Sequence, residues 1–322
     1  MTYTIPLAEP LIDELLPFWT AIFGEGLPDI ERAVFLGSES AYSHSTLYLQ
    51  RVGEQVAGTC FMMHSRTVPA LAGFGEVATA PPFRGRGIAT ALCRQAVADF
   101  RAASGEAFFL GTVNPVAARL YHRLGWRKLA GATIMVNLTA NLAPEEFLVD
   151  YFRQPGPVDV QIAGPEIRVP MIALILTPHD SALLDANVGL YSCRYRTQNS
   201  CMGLYPRYVR ALQNSQGACF TASTPDGRIV GLATARCTAR TSDECTYQID
   251  GFTHHRFAAN WPDLLQAACT WARHQGATAL QALLMAEDEA KQALFHSLGF
   301  VSTGAAAHFD EQRLTVWRVA QP

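Results

Sequence analysis

The chain has 322 residues, of which 49% are hydrophobic and 16% charged, and it carries a net charge of −3. This composition excludes a disordered chain and supplies apolar mass for packed cores, at a length that suggests two domains. The slightly acidic balance excludes a broad basic surface of the kind that holds nucleic acid. The N-terminus, Met1-Thr2-Tyr3-Thr4-Ile5-Pro6, lacks the charged and apolar regions of a secretory signal. The apolar run from Val169 to Thr177 is too short to span a bilayer. No membrane partner is therefore expected, and the expected location is cytoplasmic. Eight cysteines are scattered without a Cys-x-x-Cys pair, a pattern that fits small buried hydrophobes in a reducing compartment better than metal ligands or disulfides. No metal is expected.

In chain order, residues 2–7 alternate as an edge strand. Leu11, Leu15, Trp19 and Phe23 recur at spacing four and predict a helix, stopped by Gly24-Glu25-Gly26-Leu27-Pro28. A short helix is expected over 30–36, then a hairpin of strands 46–52 and 55–64 around Gly53-Glu54. A strand over 75–80 precedes a helix over 88–104 whose face is Ile88, Leu92, Ala96 and Phe100. Residues 107–112 read as a buried strand. The next helix has Asn114 as N-cap, Pro115 at its first position and Gly125 just past its end. A strand over 132–138 closes the unit.

Between the strand at 75–80 and its helix lies Arg84-Gly85-Arg86-Gly87-Ile88-Ala89-Thr90. The glycines permit positive φ, the helix start leaves amides unpaired under a partial positive charge, and two arginines add full charges. Such a turn suits a diphosphate. It is not a nucleotide P-loop, since no Lys-Ser or Lys-Thr follows. It is not the dinucleotide fingerprint either, since Thr90 stands where that motif has Gly or Ala.

Arg84-x-x-Gly87-x-Ala89 instead resembles the R/Q-x-x-G-x-G/A motif of the GNAT superfamily of N-acetyltransferases. The second motif of that family, N-x-x-A-x-x-L-Y-x-x-x-G-F/W, is matched at Asn114, Ala117, Leu120, Tyr121, Gly125 and Trp126. The resemblance implies a mixed, mostly antiparallel sheet flanked by helices. It implies acetyl-CoA as co-substrate, its pyrophosphate held at Arg84, Gly85, Arg86, Gly87, Ile88, Ala89 and Thr90, and its pantetheine arm along Val77, Ala78 and Thr79. Asn114 is expected both to cap its helix and to contact the pantetheine.

The second half echoes the first. Leu294-Phe295-His296-Ser297-Leu298-Gly299-Phe300 repeats Leu120 to Trp126, and Val230-Gly231 repeats Ala57-Gly58 at an offset only one position shorter. A turn at Asp226-Gly227, a strand over 246–253 and a helix over 261–274 stand at nearly the same offset, which suggests duplication. Opposite Arg84 to Ile88 stands Ala258-Ala259-Asn260-Trp261-Pro262, without glycine or arginine, and Phe295 stands opposite Tyr121. The expected architecture is α/β (α+β), with two tandem GNAT-like domains. Residues 1–150 would bind acetyl-CoA, and residues 151–322 would be a degenerate copy without a pyrophosphate loop. Helical stretches are expected within 191–212.

Acetyl transfer from a thioester to an amine needs a neutral amine, donors for the oxyanion and a proton or hydrogen bond for the departing thiolate. Tyr121 matches the family's general-acid tyrosine; packing in its helix is the alternative role. Glu76, on the pantetheine strand, is the candidate base acting through water, against an exposed strand carboxylate. His64 and His122 are weaker candidates. The expected function is an acetyl-CoA-dependent N-acetyltransferase acting on a small-molecule primary amine. A non-catalytic acyl-CoA sensor and a protein N-acetyltransferase are the alternatives. The sequence does not define the acceptor, the oligomeric state or the acyl preference.

Overall fold

The computed structural model describes residues 1–25, 29–213, 215–241, 244–310 and 312–319. Gly26, Leu27 and Pro28, part of the stop expected after the first helix, lie outside the described residues. Two compact units divide the chain. The first holds Met1–Leu148, Pro165–Ile172 and Gln198–Pro206, and the second holds Val149–Gly164, Ala173–Thr197 and Arg207–Pro322. The first unit thus draws two segments from beyond residue 150.

The first unit runs β1 (Thr2–Thr4), α1 (Glu9–Phe23), α2 (Arg32–Phe35), β2 (Ser43–Val52), β3 (Gln55–Ser65), β4 (Leu71–Thr79), α3 (Ile88–Ala102), β5 (Ala107–Gly111), α4 (Pro115–Arg123), β6 (Arg127–Lys128) and β7 (Ile134–Leu138), and α5 (Pro144–Tyr151) follows. Its sheet has the order β1-β2-β3-β4-β5-β7-β6, parallel only where β4 meets β5. The buried face of α1 is Ile12, Leu15 and Trp19, while Phe23 is exposed. A stripe at spacing four, as expected from the sequence, overshoots each turn by about 40° and leaves the face within three steps. In contrast, Ile88, Leu92, Ala96 and Phe100 of α3 are all buried as expected. They join an aromatic core in which Phe74 and Phe100 each lie 4.8 Å from Phe108, and Phe74 stacks on Trp126 at 5.6 Å.

Further along are β8 (Asp159–Ile162), α6 (Pro170–Leu176), β9 (Leu183–Asp185), β10 (Leu190–Tyr191), α7 (Leu204–Gln213), β11 (Ala218–Ser223), β12 (Ile229–Arg240), β13 (Cys245–Thr253), α8 (Trp261–His274), β14 (Ala279–Met285), α9 (Glu289–Ser297), β15 (Phe300–Phe309) and β16 (Gln312–Val319). The sheet of the second unit has the order β8-β11-β12-β13-β14-β16-β15, parallel only where β13 meets β14. Strand for strand this repeats the first sheet. The offset of β13 from β4 is the same at both ends of the strand, and α9 stands at that same offset from α4. The apolar run at 169–177 is the short helix α6, and no described helix is long and apolar enough to cross a membrane. All eight cysteines are free; six are buried, and Cys219 and Cys237 are half-buried.

Candidate active site

The site begins where β4 loses its neighbour. The pairing of β4 with β5 ends at Phe74 and Leu110, so the edge from Gly75 to Thr79 has no strand beside it on that side. On the other side the ladder with β3 slips between Thr59 and Phe61. The slip is a bulge, with Glu76 in the left-handed region at φ 49°, a conformation that a non-glycine residue adopts only when held there. Thr59 holds it. Its buried hydroxyl donates to the Glu76 carbonyl at 2.7 Å and accepts the Trp19 indole N–H at 3.0 Å. Twist and bulge together open a cavity of about 1140 Å³ along the bare edge of β4.

At one part of this cavity lies the glycine turn. Gly85 and Gly87 have φ 76° and 78°, and Gly87 is the residue that opens α3. An added Cβ would meet nothing within 4 Å at either position, so backbone conformation rather than crowding demands glycine there. Among the described residues, the amides of residues 85–90 donate to no protein acceptor. They form an anion site with the helix dipole behind it. Arg84, Gly85, Gly87, Ile88, Ala89 and Thr90 line the cavity, as do Val77, Ala78 and Thr79. Arg86 does not. Its guanidinium packs over the Phe83 ring at 5.4 Å, while the Arg84 Nε donates to the Thr79 carbonyl and keeps its side chain over the turn. The exposed, alternating Arg-Gly-Arg-Gly sequence offers no signal for which arginine turns inward.

Asn114 accepts hydrogen bonds from the amides of Val116 and Ala117 with its side-chain oxygen, and its NH₂ makes no bond to a described residue. It lines the cavity with both roles open to it. Tyr121 lines the same cavity from α4. Its ring is buried 5.8 Å from Trp126, and its hydroxyl makes no hydrogen bond to a described residue. Burial raises the Tyr121 pKa, so the hydroxyl keeps its proton across the working range of pH. Glu76 is half-buried on the cavity wall. Burial first, and the Asp29 charge second, push its carboxyl up to about 7. His64 is turned away, its ring against the Pro69 carbonyl, and neither His64 nor His122 lines the cavity.

Several cavity residues carry no sequence signal. Trp19 of α1 and Asp29 line it, and so does the stretch Asn199 to Met202, from far along the chain. That stretch is tied down by Gln198, whose carbonyl accepts from the Thr133 amide and hydroxyl, and by Ser200, whose hydroxyl donates to Asp29 at 2.5 Å. Beneath them, buried Arg168 grips Glu39 through two hydrogen bonds of 2.6 and 2.7 Å and donates to the carbonyls of Asp29 and Met202.

The second unit is built differently at the same positions. Asp250 of β13 occupies the place that Glu76 holds in β4, but the ladder of β12 and β13 runs unbroken past it, with Thr234 opposite. Residues 183–187 occupy the space beside β13. The Ala186 amide donates to Asp250 at 2.6 Å, and buried Lys291 pairs with Asp250 at 2.5 Å and donates to the carbonyls of Leu183 and Leu184. Burial, then the Asp250 charge, push the Asp185 carboxyl up to about 7. In place of the glycine turn, residues His255–Asn260 form a 3₁₀ helix, and the Trp261 amide donates to the Ala258 carbonyl. A cavity of about 1230 Å³ does exist in this unit, lined by Asp180, Tyr191, Arg196, Asp288 and Asp310 among others, but it has no comparable turn.

Residues 43–128 match the family model of the acetyltransferase (GNAT) domain, which spans β2 through β6 and contains the bulge, the glycine turn and Tyr121. The chain therefore carries a GNAT acetyltransferase domain. No curated protein gives a significant match to the chain. Among solved structures, the chain is similar to a ribosomal-protein-S5-alanine acetyltransferase from Vibrio fischeri (11% identity, TM-score 0.40, 51% of this chain and 93% of that one). It is similar to an N-acetyltransferase from Staphylococcus aureus Mu50 (16% identity, TM-score 0.38, 51% and 98%). A third similar structure, from Salmonella typhimurium, was solved with its cofactor acetyl-CoA (16% identity, TM-score 0.37, 50% and 92%).

Proposed function

We propose that this protein is an N-acetyltransferase that moves an acetyl group from acetyl-CoA to a primary amine of a small molecule by direct attack. One observation carries the reading. A single cavity joins the open amides of the glycine turn, the bare edge of β4, Asn114, Tyr121 and Glu76. The turn amides and Arg84 would take the pyrophosphate, and the Asn114 NH₂ the pantetheine arm. The bare edge of β4 would offer amide donors to the thioester carbonyl as its oxygen gains charge. Glu76, its carboxyl poised near 7, is suited to accept a proton from the incoming ammonium, directly or through water. The Tyr121 hydroxyl is a reluctant acid, so its part is a hydrogen bond to the departing sulfur that strengthens as the thiolate forms. A sensor that only held acyl-CoA would need neither group.

Residues 151–322 are read as a copy that has lost this site. The repeated strand order, the shared offset, Trp261 at the turn and the Asp250–Lys291 pair in the cleft support that reading. A screen of amines with acetyl-CoA, read by release of the CoA thiol, tests the function. Release that depends on an added amine is expected; tight acetyl-CoA binding without release from any amine would favour the sensor.

A further inference from the structure

The cavity of the first unit contains two carboxylates that the transfer reaction does not explain together. Glu76 and Asp29 both line it, and among the described residues neither has a Lys, Arg or His within ion-pair distance. Asp29 accepts one hydrogen bond, from Ser200. The nearby Arg168 does not neutralise it, because its guanidinium is engaged by both oxygens of Glu39 and reaches only the Asp29 backbone carbonyl. The same arginine fixes the main chain at Asp29 and Met202, so Asp29 and Ser200 are held from below by a buried brace. Trp19, Ile30 and Met202 add apolar lining to the same cavity.

The charge count of a single amine does not fit this wall. An amine that attacks a thioester must be neutral, so a monoamine at the point of reaction leaves two carboxylates in a partly desolvated cavity with one proton between them. Unpaired charge in such a place is costly. Burial first, and the Asp29 charge second, raise the Glu76 carboxyl, in keeping with two carboxylates on one cavity wall. A ligand with a second ammonium balances the pair. One nitrogen gives its proton at Glu76 and attacks, while the other stays charged against Asp29.

We infer that the acceptor is a diamine whose spectator ammonium is held by Asp29, with Ser200 orienting the carboxylate. This inference rests on the acetyltransferase reading and deepens it. The transfer itself balances as an aminolysis. The ammonium gives one proton to Glu76 and becomes the attacking amine. The C–N bond forms and the C–S bond breaks, and the second proton that nitrogen sheds as the amide forms goes to the departing sulfur beside Tyr121, so that CoA leaves as the thiol.

The test compares putrescine with butylamine as acceptors, with acetyl-CoA as donor, in the full chain and in the variants Asp29→Asn and Ser200→Ala. Putrescine should be favoured in kcat/KM by roughly tenfold or more, the worth of one charge-assisted hydrogen bond. Asp29→Asn should bring that ratio close to one, through KM for putrescine, with acetyl-CoA binding by calorimetry reporting that the variant is folded. Ser200→Ala keeps the carboxylate and should keep most of the ratio. Equal use of the two amines by the unaltered protein, or a ratio that survives in Asp29→Asn, would overturn the diamine assignment and leave acetyl transfer standing. Binding of acetyl-CoA with no turnover of either amine, or of any other amine, would overturn both.

Discussion

The two sheets have one topology and opposite treatments of the same gap. In each, the single parallel pair splits partway along, at Phe74 and Leu110 in one and at Gln248 and Gln281 in the other. In the first unit the gap stays open. A bulge turns Glu76 into left-handed geometry, and the helix behind it starts on two glycines with its amides bare. In the second the ladder keeps its register through Asp250, the helix is preceded by a 3₁₀ turn that uses amides internally, and residues 183–187 fill the gap through Asp250, Asn187 and Lys291. Under the proposed reading, the second unit keeps the core and lacks the chemistry through differences at a few backbone positions, because the core depends on the apolar face of the sheet and the site depends on the edge.

The sharpest way to break the comparison is at the equivalent positions of α4 and α9. Phe295 stands where Tyr121 does and is fully buried, so phenylalanine fits that place in this fold. Tyr121→Phe is expected to lower kcat by ~10²–10³-fold, the cost of losing one hydrogen-bond donor to developing charge, and to leave acetyl-CoA affinity unchanged, since it removes a hydroxyl and almost no volume. Steady-state kinetics beside calorimetry separates the two effects. Full kcat would make Tyr121 a packing residue.

Next in size is the filled gap itself. Lys291→Met leaves Asp250 charged and buried without its partner, which should destabilise the protein by about 3–5 kcal/mol in denaturant unfolding. No such loss is expected from Ala117→Met, at the equivalent position of α4, which is half-buried beside an open cavity. Equal losses at the two positions would remove the distinction between a filled and an open cleft.

Smaller again is the anion site. Arg84→Ala should weaken acetyl-CoA by roughly ten- to a hundredfold, the worth of a charge-assisted hydrogen bond to phosphate. Arg86→Ala, which removes a side chain packed on Phe83 outside the cavity, should cost less. The reverse order would mean that the two arginines exchange places on binding.

Glu76 gives the most specific effect, read in the shape of a pH profile. Its carboxyl lies near 7, above the ordinary 4.5, so kcat/KM should rise with pH through about 7 as the base ionises, and Glu76→Gln should lose that limb. For stability the sign is opposite. The folded state holds this proton more tightly than the unfolded chain does. The contribution is therefore complete below about 4.5 and is lost as pH rises through about 7. A pH profile without a limb near 7 would remove Glu76 from the role of base.

The parts of this site that could be read from sequence are those set by local backbone. The glycine turn, the Asn114 cap and the stop at Gly125 each follow from what one or two residues permit. The hairpins, β13 and α8 follow from periodicity. The bulge at Glu76 was not legible, because an inserted residue changes register without changing composition. Asp29 and Ser200 were not legible as a pair because they lie far apart in the chain and neither stands in a motif. The inward and outward roles of Arg84 and Arg86 depend on Phe83 and on the Thr79 carbonyl, contacts that no pattern in the chain records. Lys291 stands in no motif, and its role is set by the carbonyls of Leu183 and Leu184, far away in the chain.

The contrast between an open and a filled cleft is tested most directly by the stoichiometry of acetyl-CoA binding to the full chain. Calorimetry should give one site per chain, and Gly87→Trp with Arg84→Ala should abolish it while the protein stays folded. A stoichiometry near two, or undiminished binding by the double variant, would contradict the account.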